Sequence, residues 1–256
     1  SSSSSSVQRH SRKFIQDGGE SGTNVWETRG QALGYDEKFL PSSLLQLAVV
    51  VEEEKNSSPS RNDDTMEALF RASCGSGCPL RLSGAPKPGE TVIDIGCGAG
   101  HDVLIASHMV ACDEKAGTVV GVDFVKEMVE AAQGNIQKHR NATAKDSQDS
   151  AINAKIEFVV DDIATATFST DDDDYNTKPT KLAAYEGKAD VVISNGVLNL
   201  CKDKLAAFRN IFRLLQPGGR FLFSDVCKFT PLPEEPPTKK PKASSMLMMI
   251  GDVFSS

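Results

Sequence analysis

The sequence predicts an α/β fold in which helices cover both faces of a parallel β-sheet. From residue 91 onwards, short runs rich in valine and isoleucine alternate with segments of helical periodicity. The runs are apolar along nearly their whole length, as is typical of parallel strands buried on both sides. The first run also leads directly into a glycine-rich turn. This strand–turn–helix arrangement is typical of domains that grip a nucleoside-bearing ligand.

The predicted elements follow one another in a regular order. Strands are predicted at residues 91–96, 118–123, 155–160, 189–195 and 220–226. The first helix has apolar or small residues at helical spacing at Val103, Leu104, Ala106, Ser107 and Val110. The second, at 126–139, is expected to bury Met128, Val129, Ala132 and Ile136. A third follows the capping residue Asp203, with its apolar stripe at Leu205, Phe208, Phe212 and Leu215.

The composition disfavours several classes of partner. The net charge of −7 argues against a nucleic-acid-binding surface, because phosphate contacts require clustered lysine and arginine. No apolar segment approaches the length of a membrane span, so no membrane partner is predicted. The six cysteines are irregularly spaced in a chain too large to need disulfides. This predicts reduced thiols and a cytoplasmic location.

Polar and proline-rich segments divide the chain into three predicted regions. Residues 1–64 are expected to be a partly disordered N-terminal extension, and residues 65–229 the folded domain. Residues 230–256 are interpreted as the Pro/Lys-rich tail of a truncated C-terminal region. The four aspartates at 171–174 are interpreted as a solvated loop rather than a divalent-metal site, and no metal is predicted.

The glycines after the first strand indicate which nucleoside-bearing ligand is bound. They follow a G-x-G-x-G pattern at Gly96, Gly98 and Gly100. A dinucleotide-binding turn has its third glycine one residue later, where this chain has His101. Asp94 precedes the turn, where a carboxylate suits the ammonium group of a methionine moiety and would repel a pyrophosphate. The turn therefore favours S-adenosyl-L-methionine over a nicotinamide cofactor.

Residues at the ends of the next three strands complete the predicted cofactor site. Asp123 ends the second strand, where its two oxygens can accept hydrogen bonds from both ribose hydroxyls, and Phe124 offers an apolar wall for adenine. Asp162 is predicted to accept a hydrogen bond from the adenine amino group, and Ile163 to pack against the ring. Asn195 begins the loop expected beneath the reactive methyl group.

Residues 88–226 resemble a class I S-adenosylmethionine-dependent methyltransferase, and within that superfamily the arsenite methyltransferases. The segments that carry the resemblance are 88–96, 101–102, 191–200, 202–204, 214–220 and 224–226. The resemblance implies a Rossmann-like sheet with strand order 3-2-1-4-5. Such a sheet usually has two more C-terminal strands, but the prolines within residues 227–256 predict that this pair is lacking. The strand at 220–226 would then lie at an exposed edge.

The resemblance also implies that cysteine thiols hold trivalent arsenic, a soft ligand. The family takes one thiol from a glycine-rich segment ahead of the cofactor turn, one from a Ser-Asn-Cys position and one from a C-terminal region. Cys74 or Cys78 matches the first, whereas Gly196 occupies the second position. Cys201 lies five residues beyond Gly196 and is a candidate replacement. His101 can be interpreted either as a base or as a helix-start residue.

The predicted activity is methyl transfer from S-adenosylmethionine to thiol-bound trivalent arsenic, with Cys74, Cys78 and Cys201 as the candidate catalytic residues. The partner is therefore a small-molecule acceptor. Two alternatives remain open: a methyltransferase for another small acceptor, favoured by Gly196, and a non-catalytic cofactor-binding fragment. A dehydrogenase is the least favoured, because the third glycine of its fingerprint is missing.

Overall fold

The computed structural model describes Leu33, Tyr35 and residues 75–112, 114–143, 153–168, 178–228 and 246–255. Most of the predicted N-terminal extension, the four aspartates and Cys74 lie outside these residues.

The described strands form one sheet, and their order confirms the predicted fold class. They are β1 (Thr91–Ile95), β2 (Thr118–Asp123), β3 (Lys155–Val160), β4 (Ala189–Asn195), β5 (Leu215–Lys228) and β6 (Met246–Ser255). Across the sheet they follow the order β3-β2-β1-β4-β5-β6. The first five strands are parallel, in the predicted order 3-2-1-4-5.

The described connections between parallel strands contain three α-helices: α1 (His101–Met109), α2 (Lys126–Thr143) and α3 (Lys204–Leu214). Short 3-10 helices occur at Pro79–Arg81, Lys181–Tyr185 and Leu198–Leu200. The helix α3 begins where predicted, because the Asp203 side chain accepts a hydrogen bond from the backbone N–H of Ala206 at 2.8 Å. Within the described residues, no helix combines the length and apolarity that a membrane span requires.

The sheet separates two apolar cores, because successive residues of a strand point to opposite faces. Val92 of β1 packs into the core on the α1 side, together with Leu104. Its neighbour Ile93 packs into the core on the α3 side, together with Ile211. All four are fully buried, and each such side chain contributes about 1.5–3 kcal/mol by leaving water. The predicted inward residues of α1 and α2 are likewise buried.

The prediction that residues 220–226 form an exposed edge is wrong. The strand β6 pairs with β5 in antiparallel orientation, from the pair Lys228 and Met246 to the pair Arg220 and Ser255. The five prolines behind that prediction lie between residues 231 and 241, ahead of β6. They therefore remove no hydrogen bond from this ladder, and the apolar run that follows them is free to pair.

Three of the four residues of the expected apolar stripe of α3 are exposed, and the fourth, Leu215, packs against the core on the α3 side. Leu205 and Phe212 are 60% and 66% exposed, and Ala207, Ile211 and Leu214 are buried instead. Both sets of residues recur at helical spacing, so the pattern alone does not choose between them. The buried set begins with alanine, a small residue that permits close approach of the helix to the sheet.

Arg220 ties β5 to the loop that precedes β1. Its Nη1 and Nη2 atoms donate to Glu90 Oε1 and Oε2 at 2.9 and 2.6 Å. The guanidinium also donates to the backbone carbonyls of Gly84 and Ala85. Burial alone would raise the pKa of Glu90, but the hydrogen bonds and charge of Arg220 outweigh burial and hold it below the ordinary value of 4.5. The pair is bidentate, and both side chains are about four-fifths buried.

Replacing Arg220 with alanine should lower the free energy of unfolding by roughly 1–3 kcal/mol at neutral pH, because Glu90 loses a charged partner. Since folding lowers the pKa of Glu90, the stabilisation is present above the pKa of the unfolded chain. It is lost as the pH falls through the lower, folded-state pKa. Urea denaturation from pH 7 to pH 3 measures both effects.

The matched control is Lys126→Ala, which removes an exposed ion pair with Glu130 and should change stability little. Equal effects of Arg220→Ala and Lys126→Ala would contradict the role assigned to Arg220.

Candidate functional site

The carboxyl ends of the parallel strands meet at one edge of the sheet, and the candidate site lies there. The chain runs from β1 to β2 and β3 on one side of the sheet, and β4 and β5 lie on the other side of β1. Parallel α/β sheets bind their ligands at such a reversal point. Asp123 and Asn195 are the last residues of β2 and β4, so both reach this edge.

The glycine turn after β1 is packed at one glycine and open at another. Gly96 has a φ of +75°, and a Cβ there would overlap the side chain of Val197. Gly98 has a φ of +53°, yet apart from the residues next to it in the chain no described atom lies within 4 Å of its Cβ position. At Gly100, a Cβ would lie 3.0 Å from that of Ala132 on α2. Packing at Gly96 and Gly100 therefore fixes the turn, and the open space at Gly98 lets a ligand approach the backbone.

Asp123 holds the turn through its side chain. Its Oδ2 accepts a hydrogen bond from the N–H of Gly98 at 3.0 Å, and its Oδ1 accepts one from Val125 at 2.9 Å. Burial raises the pKa of Asp123 in spite of these bonds. A carboxylate has about four acceptor positions, so these bonds leave acceptor capacity for the predicted ribose hydroxyls. Phe124, next in the chain, is partly exposed beside it.

Three buried carboxylates concentrate negative potential at the turn. Burial raises the pKa of Asp94 well above its ordinary value, and the charges of Asp102 and Asp123 raise it further. Burial also acts to raise the pKa of Asp102, but hydrogen bonds outweigh it and lower the value; they come from His101, Tyr35 and Asn195. A cation bound here would relieve the repulsion. The ammonium and sulfonium groups of S-adenosylmethionine fit this requirement, and a pyrophosphate does not.

Asn195 connects the turn to an earlier segment of the chain. Its Nδ2 lies 2.7 Å from the carbonyl of Gly77, 2.9 Å from the hydroxyl of Tyr35 and 3.0 Å from Asp102 Oδ2. Its Oδ1 accepts a hydrogen bond from the backbone N–H of Ser76 at 2.8 Å. The Tyr35 hydroxyl donates to Asp102 Oδ1 at 2.6 Å. The amide is thus used to assemble the site, and its predicted place beneath the methyl group stays a prediction.

Tyr35 was not predicted from the sequence, and its position accounts for His101. The two rings meet edge to face with centroids 4.5 Å apart, and His101 Nδ1 lies 3.1 Å from Asp102 Oδ1. His101 therefore helps to hold Asp102. Tyr35 is a lone tyrosine in a polar segment, so no pattern in the sequence marks it.

The remaining predicted adenine contacts lie after β3. Asp162 is partly exposed, and its Oδ1 accepts a hydrogen bond from the N–H of Ala164 at 2.9 Å. Ile163 is buried in the core on the α3 side. Asn210 of α3 donates to the Ile163 carbonyl at 2.8 Å and so fixes this loop against the helix. The adenine-binding roles of both residues stay predictions.

The candidate thiols in the described part lie on different sides of the sheet. Cys78 is buried in the core on the α1 side, and Cys201 packs against the core on the α3 side. Burial, followed by the charge of Asp102, raises the pKa of Cys78. Burial, followed by the charge of Asp162, raises that of Cys201. Both are therefore protonated at neutral pH, and their joint ligation of a substrate stays a prediction. Among the described residues, no cluster of three or more histidine, cysteine or acidic side chains could hold a metal.

Substitution by alanine should have different effects at Gly98 and at Gly96 of the turn. Gly98→Ala should cost about 1–2 kcal/mol of stability for its left-handed backbone, and should weaken S-adenosylmethionine binding about tenfold or more by filling the space above the turn. Gly96→Ala should cost roughly 2–5 kcal/mol, because its Cβ also overlaps Val197.

Urea denaturation and calorimetric titration measure these effects. The control is Gly134→Ala on α2, where a Cβ meets nothing within 4 Å. It should leave binding unchanged and raise stability slightly. Binding by Gly98→Ala that matches the unmodified protein would refute the assignment of this space.

Comparison with known proteins agrees with this geometry. The sequence matches a family described as "Methyltransferase domain" over residues 86–250. The arsenite methyltransferase of Halobacterium salinarum is 33% identical over 174 residues, which cover 68% of this chain and 37% of the relative. Phosphoethanolamine N-methyltransferase 1 of Zea mays is 31% identical over 151 residues, with coverage of 58% and 23%.

A solved structure, the arsenic(III) S-adenosylmethionine methyltransferase CrArsM from Chlamydomonas reinhardtii, is 28% identical with a TM-score of 0.45. The match covers 69% of this chain and 48% of that one. The chain thus spans less than half the length of each of these relatives. The family match includes the open glycine turn, the carboxylates around it and the parallel strands that carry them. The chain belongs to the methyltransferase-domain family, and its cofactor is S-adenosylmethionine.

Proposed function

We propose that the protein transfers a methyl group from S-adenosylmethionine to trivalent arsenic held by thiols at the carboxyl edge of the sheet. Cofactor binding, the first half of the proposal, rests on the open space at Gly98, whose N–H is bonded to the buried carboxylate of Asp123. The arsenic acceptor is supported by the arsenite methyltransferases among the relatives. When bound, the cofactor supplies a methyl group already activated by the positive charge on sulfur.

The chain's own residues act by positioning. Asp102 receives hydrogen bonds from Tyr35 and Asn195, so its carboxylate is fixed and charged. Asp94 lies beside it with a raised pKa, and the arrival of a cation favours its ionised form. Alignment of two reactants supplies up to about 7–11 kcal/mol of rate enhancement. An arsenic lone pair needs no base, which agrees with the use of His101 to hold Asp102.

A buried thiol is a competent ligand for arsenic even when its pKa is raised. Arsenous acid carries hydroxyl groups, and each arsenic–sulfur bond forms as the thiol proton leaves with one hydroxide as water. No free thiolate has to accumulate before binding. The protonated state of Cys78 is therefore compatible with its predicted role, and its contact with the Tyr35 hydroxyl places it beside the Asn195 network.

A second candidate is methyl transfer to a small acceptor that needs no thiol. Two observations favour it: Gly196 occupies the position where a thiol was expected, and Cys78 and Cys201 pack on opposite faces of the sheet. The phosphoethanolamine N-methyltransferases among the relatives provide a concrete acceptor for comparison.

Single replacements of the thiols separate the two candidates. With arsenite as acceptor, Cys78→Ser and Cys201→Ser should each reduce kcat/KM at least about tenfold, the smaller end of the loss seen when metal ligation is disturbed. The control is Cys112→Ser, at a partly exposed residue whose backbone is bonded to Asn153. Methylated arsenic and methylated phosphoethanolamine are measured by mass spectrometry.

Unchanged transfer to arsenite in both variants would exclude thiol ligation by these residues. Transfer to phosphoethanolamine alone would establish the second candidate in place of the first.

A further inference from the structure

We propose that the hydroxyls of Ser76 and Ser224 form a subsite that hydrogen-bonds an oxygen atom of the methyl acceptor. The inference rests on the proposed function, because it assigns part of the acceptor site at the same edge of the sheet. The bonded oxygen would be a different atom of the acceptor from the one that receives the methyl group.

The two hydroxyls are buried and unused within the described part of the chain. Ser76 is 4% exposed and Ser224 is 1% exposed, and neither Oγ has a hydrogen-bond partner there. Other buried serines differ: Ser107 Oγ donates to the carbonyl of Leu104 at 2.6 Å, and Ser194 Oγ donates to that of Ile95 at 3.1 Å. An unpaired buried hydroxyl lowers stability, so a ligand that pairs with it recovers the loss.

Both serines are neighbours of Gly77: Ser76 precedes it in the chain, and Ser224 contacts it in space. Ser224 of β5 stands in register with Asn195 of β4, and a Cβ on Gly77 would overlap Ser224 Oγ. Ser76, adjacent to Gly77, is anchored by its N–H to Asn195 Oδ1. The segment therefore packs against the end of β4 and the neighbouring part of β5, and one of the two hydroxyls lies on the segment while the other lies on β5.

This place is on the acceptor side of the cofactor site. The carboxylate predicted to bind ribose is on β2, and the one that suits the ammonium group is Asp94 on β1. The order β2-β1-β4-β5 continues to Asn195 and then to Ser224. If Asp123 and Asp94 hold the two ends of the cofactor, β4 and β5 would be the strands on the acceptor side.

The chemistry of the subsite selects oxygen. A serine hydroxyl both donates and accepts a hydrogen bond, carries no charge and does not ligate soft arsenic as a thiol does. A hydroxyl of arsenous acid and a phosphate oxygen of phosphoethanolamine share the required group. For an arsenic acceptor, a hydrogen bond from its oxygen to this subsite would add a binding contact, because Gly196 provides no thiol.

The test uses Ser76→Ala, Ser224→Ala and the double variant, with arsenite and phosphoethanolamine as separate probes. For the probe that is methylated, each single replacement should raise KM about tenfold while kcat stays within about twofold, since one hydrogen bond to substrate is lost. The calorimetric Kd for S-adenosylmethionine should not change. Ser107→Ala is the control and should leave all three values unaltered. An unchanged KM in the double variant would overturn the subsite.

A second measurement does not depend on turnover. In the ligand-free protein, Ser76→Ala and Ser224→Ala should leave Tm unchanged or raise it. Ser107→Ala should lower Tm by about 2–4 °C, because it breaks a formed hydrogen bond. A lower Tm for both site variants would show that their hydroxyls are bonded within the protein and would overturn the subsite.

If neither probe is methylated, the proposed acceptors fail, and calorimetric binding of the same probes to the S-adenosylhomocysteine complex decides the subsite separately.

Discussion

The side-chain amide of Asn195 joins the end of β4 to Tyr35, to Asp102 on α1 and to the segment that contains Ser76 and Gly77. These partners are far apart in the sequence, since Tyr35 and Asn195 are separated by 160 positions. Asparagine suits the position because one planar group both donates and accepts. The relative placement of the cofactor turn and the acceptor segment depends on this one side chain.

The two buried carboxylates near this amide, Asp94 and Asp102, have pKa values shifted in opposite directions. Hydrogen bonds to its oxygens lower the pKa of the buried Asp102 and keep it ionised, whereas burial and the neighbouring carboxylates raise the pKa of Asp94. Hydrogen bonds thus favour the ionised form of Asp102, and a bound cation would favour the ionised form of Asp94. The network therefore keeps a negative charge at the place where a positively charged ligand would bind.

Much of the fold was predictable because local chemistry and the global fold agree. The apolar runs gave the parallel strands, and Asp203 marked the start of α3. The errors occurred where a pattern had two solutions. Leu205 and Phe212 have the spacing of a buried stripe, but contacts with the sheet select Ile211 and Leu214. The exposed-edge prediction failed because proline excludes a strand only where it stands, not in the residues that follow.

The site was predictable in part, for a related reason. The positions of Asp94 and Asp123 near the glycine turn were predictable, because a position relative to a strand end specifies its surroundings; their cofactor-binding roles stay predictions. Tyr35 and Ser224 were not predictable, because their roles arise from contacts between distant segments. A buried serine without a hydrogen-bond partner has no signature in a sequence.

The bond between Asp123 and the N–H of Gly98 gives one carboxylate two duties. The group expected to recognise a ribose also fixes the shape of the loop that the nucleoside must approach. A ligand that displaces the Gly98 N–H from Asp123 therefore distorts the turn to which it binds. A ligand that uses only the remaining lone pairs of the carboxylate leaves the turn intact. Selection of the sugar and integrity of the turn are consequently inseparable, and a change at this carboxylate alters both together.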